Sequence, residues 1–423
     1  MDARGERILS DVNLAFKRDP SIDEYDYLPV DQATQNRSPV TLVSHKLGIE
    51  FWSVKVLFQH AYTKLLAWRN REANSKYLEP HEILSLTRAV VMINPECSTA
   101  WNVRKELILT GDLKAGDCLK LGTLILTKHP KSAEVFSHRK WLLNHLVSQC
   151  PVLQALMRDR RENRDINSQN CFRSTDQPWS PNNSNGHNNH MYHIHLPTAE
   201  VNSPVYNILV AEFDTCTLAA SKYSCNYYAW NHRTWVMKLI LCYSYTMFLS
   251  ELSWSKSWIQ QHISDHSCFQ YRQFLLMQLS SCQQYQCSLS DHCDNTDGSR
   301  PVNNTHNNGC SQLPVENPFI SEMSLISFLI HSYPGHETLW YHRRFVLHSL
   351  ACAIKQKKQM NCQQDFVNQP DCKHLYNTKW EMSVKELNAE ETQFAEQELK
   401  SPDLFQRHLA KRYLNWLENF FET

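Results

Sequence analysis

The chain has 423 residues, in which 43 lysines and arginines balance 43 aspartates and glutamates, so its formal net charge is zero. Because no basic stripe is evident either, nucleic acid and membrane surfaces are poor candidates for the main partner. Only nine glycines occur, and none stands in the glycine-rich arrangement of a dinucleotide or nucleoside triphosphate site, so any phosphate must be bound by side chains.

Targeting and membrane signals are not evident in the sequence. Its start lacks a hydrophobic signal core, and no stretch reaches the roughly 18 uninterrupted apolar residues of a membrane span. We therefore expect an intracellular, cytoplasmic protein. The 15 cysteines are scattered and odd in number, which favours reduced thiols over a disulfide scaffold.

Residues 1–45 are interpreted as an N-terminal segment that precedes a helical repeat domain at 46–423. Within the segment, a short apolar stretch is followed by an acidic Asp-Glu-Tyr-Asp-Tyr run, and a strand or helix there could cap the first repeat. Phe51–Arg71 is rich in aromatic residues and helical in composition. With Trp68 and Arg71 three positions apart, it resembles a degenerate first repeat helix.

One pattern recurs further along the chain: an aromatic residue, an arginine three positions later and a hydrophobic residue three beyond that. On a helix these positions share a face, which predicts that the face is buried. In three copies a proline stands six positions before the aromatic residue, which favours a turn just before the helix. The anchors are Trp101 and Arg104, Phe136 and Arg139, Trp230 and Arg233, Phe269 and Arg272, and Trp340 and Arg343.

An apolar run of helical length precedes each aromatic anchor, so each unit is predicted to be a helical hairpin. A single hairpin cannot bury its apolar stripe alone, whereas stacked hairpins build one continuous core. We therefore predict an all-α fold, an α-solenoid (α-α superhelix) of five clear repeats with degenerate ends. The apolar runs are Glu82–Ile93, Cys118–Thr127, Tyr206–Ala220, Met247–Ile263 and Glu322–Ile330. After the last repeat, Val384–Leu399 is acidic and helical in composition, and the amphipathic Pro402–Phe421 is predicted to be the helix that closes the stack.

Two polar stretches, at about 151–204 and 281–317, interrupt the repeats. Their low-complexity composition predicts inserts outside the stack, because such segments bury too little apolar surface to order themselves. The first insert contains several histidines, and the second contains cysteines with a histidine. Neither has the paired spacing of a structural zinc site, so we assign no metal ligand to this chain.

The anchor residues are predicted to be structural, with tryptophans packing between hairpins and arginines bonding to neighbouring carbonyls or carboxylates. In three repeats a histidine stands one position before the arginine, at His138, His232 and His342. This position lies on the adjacent helix surface. The histidines could therefore face a partner protein.

Two segments carry a resemblance to a known family, Asn-Tyr-Tyr-Ala-Trp-Asn-His-Arg at 226–233 and Pro-Lys-Ser-Ala-Glu-Val-Phe-Ser-His-Arg at 130–139. They resemble the repeats of protein prenyltransferase α subunits, and the likeness covers roughly residues 80–350 and is strongest to the repeat-containing branch. It implies a crescent of hairpins around a separate α-α barrel β subunit that carries the catalytic zinc, so no cofactor is expected in this chain. In such enzymes zinc holds the acceptor cysteine as a thiolate, which attacks the first carbon of farnesyl or geranylgeranyl diphosphate.

The resemblance also implies catalytic residues. The α subunit contributes at the diphosphate end, where a lysine and phenolic or imidazole donors stabilise the leaving group. Lys131, just after Pro130 and five residues before Phe136, occupies the position of that lysine. Tyr227 and Tyr228 occupy the positions of a tyrosine and a histidine that face the diphosphate in the family, with Tyr228 replacing the histidine.

Departures from the family pattern leave two classes of function open. Ala133 stands where the family usually has tyrosine, and Glu134 stands where some members bind the C-terminal carboxylate of the substrate, which a glutamate would repel. The first class is an α-type subunit of a heterodimeric farnesyl- or geranylgeranyltransferase, inactive alone. Its partners would be a β subunit, with the Rab geranylgeranyltransferase β type as a candidate, an isoprenoid diphosphate and an acceptor protein. The second is a non-catalytic repeat scaffold that binds a β-type subunit or another protein.

Overall fold

A computed structural model describes residues 3–32, 37–71, 78–151, 204–240, 245–290, 318–364 and 383–422. These residues contain fourteen α-helices and one three-stranded sheet, and the chain divides into two compact units, Met1–Tyr243 and Ser244–Thr423. Among the described helices, none combines the length and apolar character that a membrane span needs. The histidines and cysteines of the two predicted inserts lie outside the residues whose side chains are described.

The first unit contains, after its first helix, a small sheet that the sequence did not predict as such. Helix α1 (Ala3–Arg18) precedes β1 (Glu24–Leu28), β2 (Val40–Val43) and β3 (Lys46–Glu50). The sheet order is β1-β3-β2, with β3 parallel to β1 and antiparallel to β2. Because β3 pairs with strands before residue 45, the boundary predicted there falls inside one structural element.

Seven helices follow the first one in this unit, and six of them form hairpins. The helices are α2 (Phe51–Arg69), α3 (Pro80–Ile93), α4 (Ser98–Leu109), α5 (Ala115–Lys128), α6 (Ala133–Ser148), α7 (Pro204–Lys222) and α8 (Tyr227–Ile240). Helix α2 packs against α1 and α3, and the hairpins are α3–α4, α5–α6 and α7–α8. Arg71 lies beyond the end of α2 with a φ of 52°, so it does not share a helical face with Trp68 as the sequence suggested.

The second unit consists of three more hairpins. Its helices are α9 (Tyr245–Gln261), α10 (His266–Ser290), α11 (Pro318–Ser332), α12 (Glu337–Gln364), α13 (Val384–Glu398) and α14 (Leu404–Glu422). Helix α10 continues to Ser290, past the predicted start of the second insert at about 281. Helix α13 begins with a capping box in which Ser383 and Glu386 satisfy each other's backbone N–H groups.

The predicted class of an all-α solenoid is confirmed by this succession of hairpins. Each predicted apolar run corresponds to the first helix of a hairpin, and each anchor lies on the second helix. The anchor aromatic residues are at most 3% exposed, so they lie in the interior of the stacked hairpins. The closing hairpin α13–α14 buries Leu409, Tyr413 and Leu417 in the same way.

Candidate functional site

The arginine anchors join each hairpin to the next hairpin of the same unit. Nε and Nη2 of Arg139, on α6, donate to the two carboxylate oxygens of Glu212, on α7, at 2.9 and 2.6 Å. Its Nη1 donates to the Leu119 carbonyl and the Thr123 hydroxyl on α5. One planar side chain thus fixes three helices, which a lysine with a single ammonium group would not do.

The same joint between hairpins, an arginine that bonds to a side chain of the next hairpin, recurs in the second unit. Arg272 donates to both carboxylate oxygens of Glu322, and Arg343 donates to both oxygens of Glu391 at 2.7 and 2.8 Å. In the first joint of the chain a cysteine replaces the acid, and Nε of Arg104 lies 3.3 Å from the sulfur of Cys118.

The histidines complete these joints and do not face a partner, so that prediction is wrong. His138, His232 and His342 are 2%, 0% and 0% exposed. Nε2 of His232 lies 2.9 Å from Glu212, and Nε2 of His342 lies 2.8 Å from Glu322. The histidine position is internal because a hairpin in a stack is covered on two sides, by its own first helix and by the preceding repeat.

Each histidine ring also packs on the aromatic anchor of the preceding hairpin. The ring centroids of Trp101 and His138 lie 4.5 Å apart, and those of Phe136 and His232 lie 5.3 Å apart. Tyr413 replaces the histidine in the last hairpin, where its hydroxyl donates to Glu391 at 2.7 Å. The aromatic residue, the histidine and the arginine therefore form one inter-repeat contact.

The charge states at these joints follow from burial and pairing. Although burial opposes the charged carboxylate, Arg139 and His232 outweigh it and lower the pKa of Glu212 to about 2. Glu322 has its pKa lowered to about 2 by Arg272 and His342 in the same manner. Burial lowers the pKa of His232, so the ring is neutral and donates from Nε2 to an ionised Glu212.

Sequence reasoning missed the acids of these joints, although a signal for them exists. In four hairpins, the residue 20 positions before the histidine, or before the Tyr271 that replaces it, contacts that side chain, and in the last hairpin Glu391 lies 22 positions before Tyr413. The pairs are Cys118 and His138, Glu212 and His232, Glu251 and Tyr271, and Glu322 and His342. A constant spacing between a polar residue in the first helix and the histidine position in the second would have identified them.

The residues predicted to be catalytic lie on two neighbouring turns of the first unit. Nδ2 of Asn226, which is fully buried, donates to the Pro130 carbonyl at 2.7 Å and to the Ala219 carbonyl at 3.0 Å. Its Oδ1 accepts from the backbone N–H of Ala229, which caps the start of α8. Asn226 therefore fastens the start of the helix that carries Tyr227 and Tyr228 to the turn that carries Lys131.

Lys131 is exposed on this surface. It directly precedes Ser132, whose hydroxyl accepts from the Val135 N–H at the start of α6. Its Nζ lies 4.3 Å from the ring centroid of Tyr223, a residue that the sequence reasoning did not single out. Tyr227 is 57% exposed and Tyr228 is 37% exposed. Among the described residues, no carboxylate forms an ion pair with Lys131.

Two neighbouring lysines are neutralised, which distinguishes Lys131 from them. Lys128, at the end of α5, pairs with Asp26, and Lys222, at the end of α7, pairs with Glu24 at 2.6 Å. Both acids belong to β1, which therefore forms an ion pair with the end of each of these helices. In this part of the described surface Lys131 is the lysine left for an external anion.

The first turn of α6 shows where the departures from the family pattern lie. Glu134 is partly buried in that turn, next to the partly buried Ala133. A carboxylate there favours the helix N-terminus, but it places negative charge three residues from Lys131.

Comparison with known proteins identifies the repeats. The family model described as "Protein prenyltransferase alpha subunit repeat" matches residues 117–146, 209–240, 248–279 and 319–350. These segments correspond to the hairpins α5–α6, α7–α8, α9–α10 and α11–α12.

Several relatives match most of the chain. It is 35% identical over 350 residues to protein prenyltransferase alpha subunit repeat-containing protein 1 of Homo sapiens, covering 81% of this chain and 77% of the relative. The Danio rerio protein of that name is 34% identical over 348 residues, covering 82% and 73%. The geranylgeranyl transferase type-2 subunit alpha of Candida albicans is 32% identical over 87 residues, covering 18% and 23%. The chain belongs to the protein prenyltransferase alpha subunit repeat family.

Proposed function

We propose that this chain is the α-type subunit of a heterodimeric protein prenyltransferase that transfers an isoprenoid to a cysteine thiolate of a protein. The observation that carries the proposal is the unpaired Lys131 on a turn that Asn226 fastens to the start of the helix bearing Tyr227 and Tyr228. A cation and two exposed hydroxyl groups on adjoining turns suit a diphosphate.

The proposed role of these residues is electrostatic. As the bond between the isoprenoid and its diphosphate breaks, negative charge grows on the leaving oxygen, and a fixed cation nearby lowers the barrier. Lys131 supplies that charge, and the hydroxyls of Tyr227 and Tyr228 donate hydrogen bonds to the diphosphate. The partner β subunit supplies the zinc that holds the acceptor thiolate and most of the isoprenoid pocket, so the chain is inactive alone.

The finer assignments extend this proposal. We assign geranylgeranyl rather than farnesyl transfer, because one similar protein is named as a geranylgeranyl transferase type-2 alpha subunit. The Rab geranylgeranyltransferase β type is then the first candidate for the partner, and we propose the cytoplasm as the location of the complex. Since Glu134 stands where a C-terminal carboxylate would be bound, the acceptor is recognised other than by a simple C-terminal box.

A non-catalytic scaffold is the second candidate. Tyr228 replaces the family's histidine and removes a possible positive charge from the diphosphate side, and Glu134 adds a negative one. On this reading the hairpins bind a β-type subunit or another protein without contributing to transfer.

Reconstitution separates the two candidates. The chain, a Rab geranylgeranyltransferase β subunit and their mixture are each incubated with labelled geranylgeranyl or farnesyl diphosphate and cell proteins that lack endogenous prenylation. We expect incorporation only in the mixture and mainly from the geranylgeranyl donor. Copurification of a β subunit without any incorporation above that of β alone would support the scaffold.

A further inference from the structure

A small depression opens on the surface of the second unit where the start of α12 meets α14. It is lined by Glu337, Trp340, Tyr341, Arg344, Leu409 and Arg412. Trp340 and Leu409 are each 2% exposed and form an apolar floor. Tyr341, which is 50% exposed, and the charged side chains form the rim.

The rim carries more positive than negative charge. Nη1 of Arg412 donates to Glu337 at 2.7 Å, and its Nη2 lies 3.4 Å from the Tyr341 hydroxyl. Arg344 has a weaker set of contacts: its Nη2 donates to the Arg412 carbonyl at 3.4 Å, and its buried Nε has no hydrogen-bond partner among the described residues. The rim therefore holds two guanidinium groups and one carboxylate, and that carboxylate pairs with Arg412.

Arg344 is held in place without being neutralised. Its guanidinium carbon lies 5.5 Å from the ring centroid of Tyr341 and 5.4 Å from that of Trp416. Burial lowers the pKa of Arg344, and the neighbouring Arg412 lowers it further. An added anion at the rim would relieve both effects, because it replaces lost hydration and screens the like charges.

The depression is also preorganised. Oε1 of Gln406, a fully buried residue of α14, accepts from the Gly335 N–H at 2.9 Å and from Nε1 of Trp340 at 3.3 Å. These bonds fix the turn before α12 and its first helical turn against α14. The two arginines consequently stand on rigid elements rather than on a loop, which reduces the entropy lost on binding a ligand.

We propose that this depression binds a carboxylate group from an acidic peptide segment of a protein partner. The Glu337 carboxylate on Arg412 already shows that this chemistry fits the rim, and Glu337 acts there as an internal competitor. Because that pair is exposed, with 43% and 40% of the side chains accessible, an incoming carboxylate displaces it at little cost. The proposal does not depend on prenyl transfer.

Ligand-observed NMR on the full chain tests the site. The probes are N-acetylglutamate, followed by the line width of its methyl proton signal, and inorganic phosphate, followed by its phosphorus line width, at constant ionic strength. We expect broadening of the N-acetylglutamate signal that is lost in Arg412→Gln. Arg407→Gln removes an exposed arginine of the same helix outside the depression and serves as the matched control, with broadening unchanged.

The variant Glu337→Gln removes the competitor, so it should tighten binding of N-acetylglutamate by roughly two- to fivefold. Melting temperatures of all variants verify that the fold is kept. Equal loss in Arg412→Gln and Arg407→Gln, no gain in Glu337→Gln, or broadening of phosphate alone would overturn the proposal.

Discussion

Substitution of Glu212 by glutamine tests the inter-repeat joint, because it keeps the shape of the side chain and removes its charge. Arg139 would stay buried without a counter-ion, and its fork would meet one acceptor oxygen and an NH2 group. His232 would lose the ionised acceptor of its Nε2 proton. The loss of stability in Glu212→Gln should therefore be larger than for the same substitution of an exposed acid.

Two independent estimates give the size of this effect. The pKa of Glu212 falls from 4.5 to about 2 on folding, and at about 1.4 kcal/mol per unit this corresponds to about 3 kcal/mol of stability at neutral pH. Removing one partner of a buried ion pair typically costs about 3–5 kcal/mol. We expect Glu212→Gln to lower the free energy of unfolding by about 3–4 kcal/mol.

Urea unfolding of the full chain, followed by far-ultraviolet circular dichroism, measures this change. Asp214→Asn is the matched control, since Asp214 is exposed on the same helix and should change stability by less than about 0.5 kcal/mol. A loss of stability in Glu212→Gln no larger than in the control would show that the joint contributes little to holding the repeats together.

Three further predictions concern acid stability and the turns. Because the unfolded chain protonates Glu212 and Glu322 near pH 4.5 while the folded protein holds their pKa values at about 2, the urea midpoint should fall as the pH drops below about 5. His138, with a pKa lowered to about 3, should add a loss of stability that begins near pH 6.5. A urea midpoint that stays constant from pH 7 to 4 would contradict both expectations. Asn226→Ala leaves two carbonyls and a helix start unsatisfied and should cost about 2–4 kcal/mol in urea unfolding, with a loss below 1 kcal/mol arguing against a fixed turn. Gly335 has a φ of 83°, so Gly335→Ala should lower stability by about 1–2 kcal/mol, whereas an unchanged melting curve would mean that the turn relaxes.

The hairpins could be predicted because the aromatic residue, arginine and hydrophobic residue repeat with helical spacing. The joints were harder to predict, since Glu212 and Glu322 look like solvent-facing acids in amphipathic helices. His232 and His342 were assigned to the surface because a helix pattern shows one buried face, whereas a helix inside a stack is covered on two sides. The short strands β1 to β3 carry too few residues for a period-two pattern to stand out.

Of the candidate site, the residue identities came from the family resemblance and the spatial arrangement came from the structure. Asn226 bonds to the Pro130 carbonyl across 96 positions of sequence, a contact that no local pattern reveals. The proximity of Tyr223 to Lys131 is likewise a contact between residues far apart in sequence. The pairing of Lys128 and Lys222 with acids of β1 was equally invisible, because the acidic run carries no sign of its partners.

The most direct test of the proposed α-type catalytic role is single-turnover transfer by the assembled heterodimer, with saturating isoprenoid diphosphate and an accepted protein substrate. Lys131→Ala should slow transfer by roughly ten- to a thousandfold, because it removes a charge that acts mainly in the transition state, and Tyr227→Phe should cost less. Lys120→Ala, which removes an exposed lysine of α5, is the control and should leave the rate unchanged. All three variants should leave β-subunit binding and the melting temperature unchanged. Transfer by Lys131→Ala at the rate of the Lys120→Ala control would contradict the account and leave this chain a scaffold.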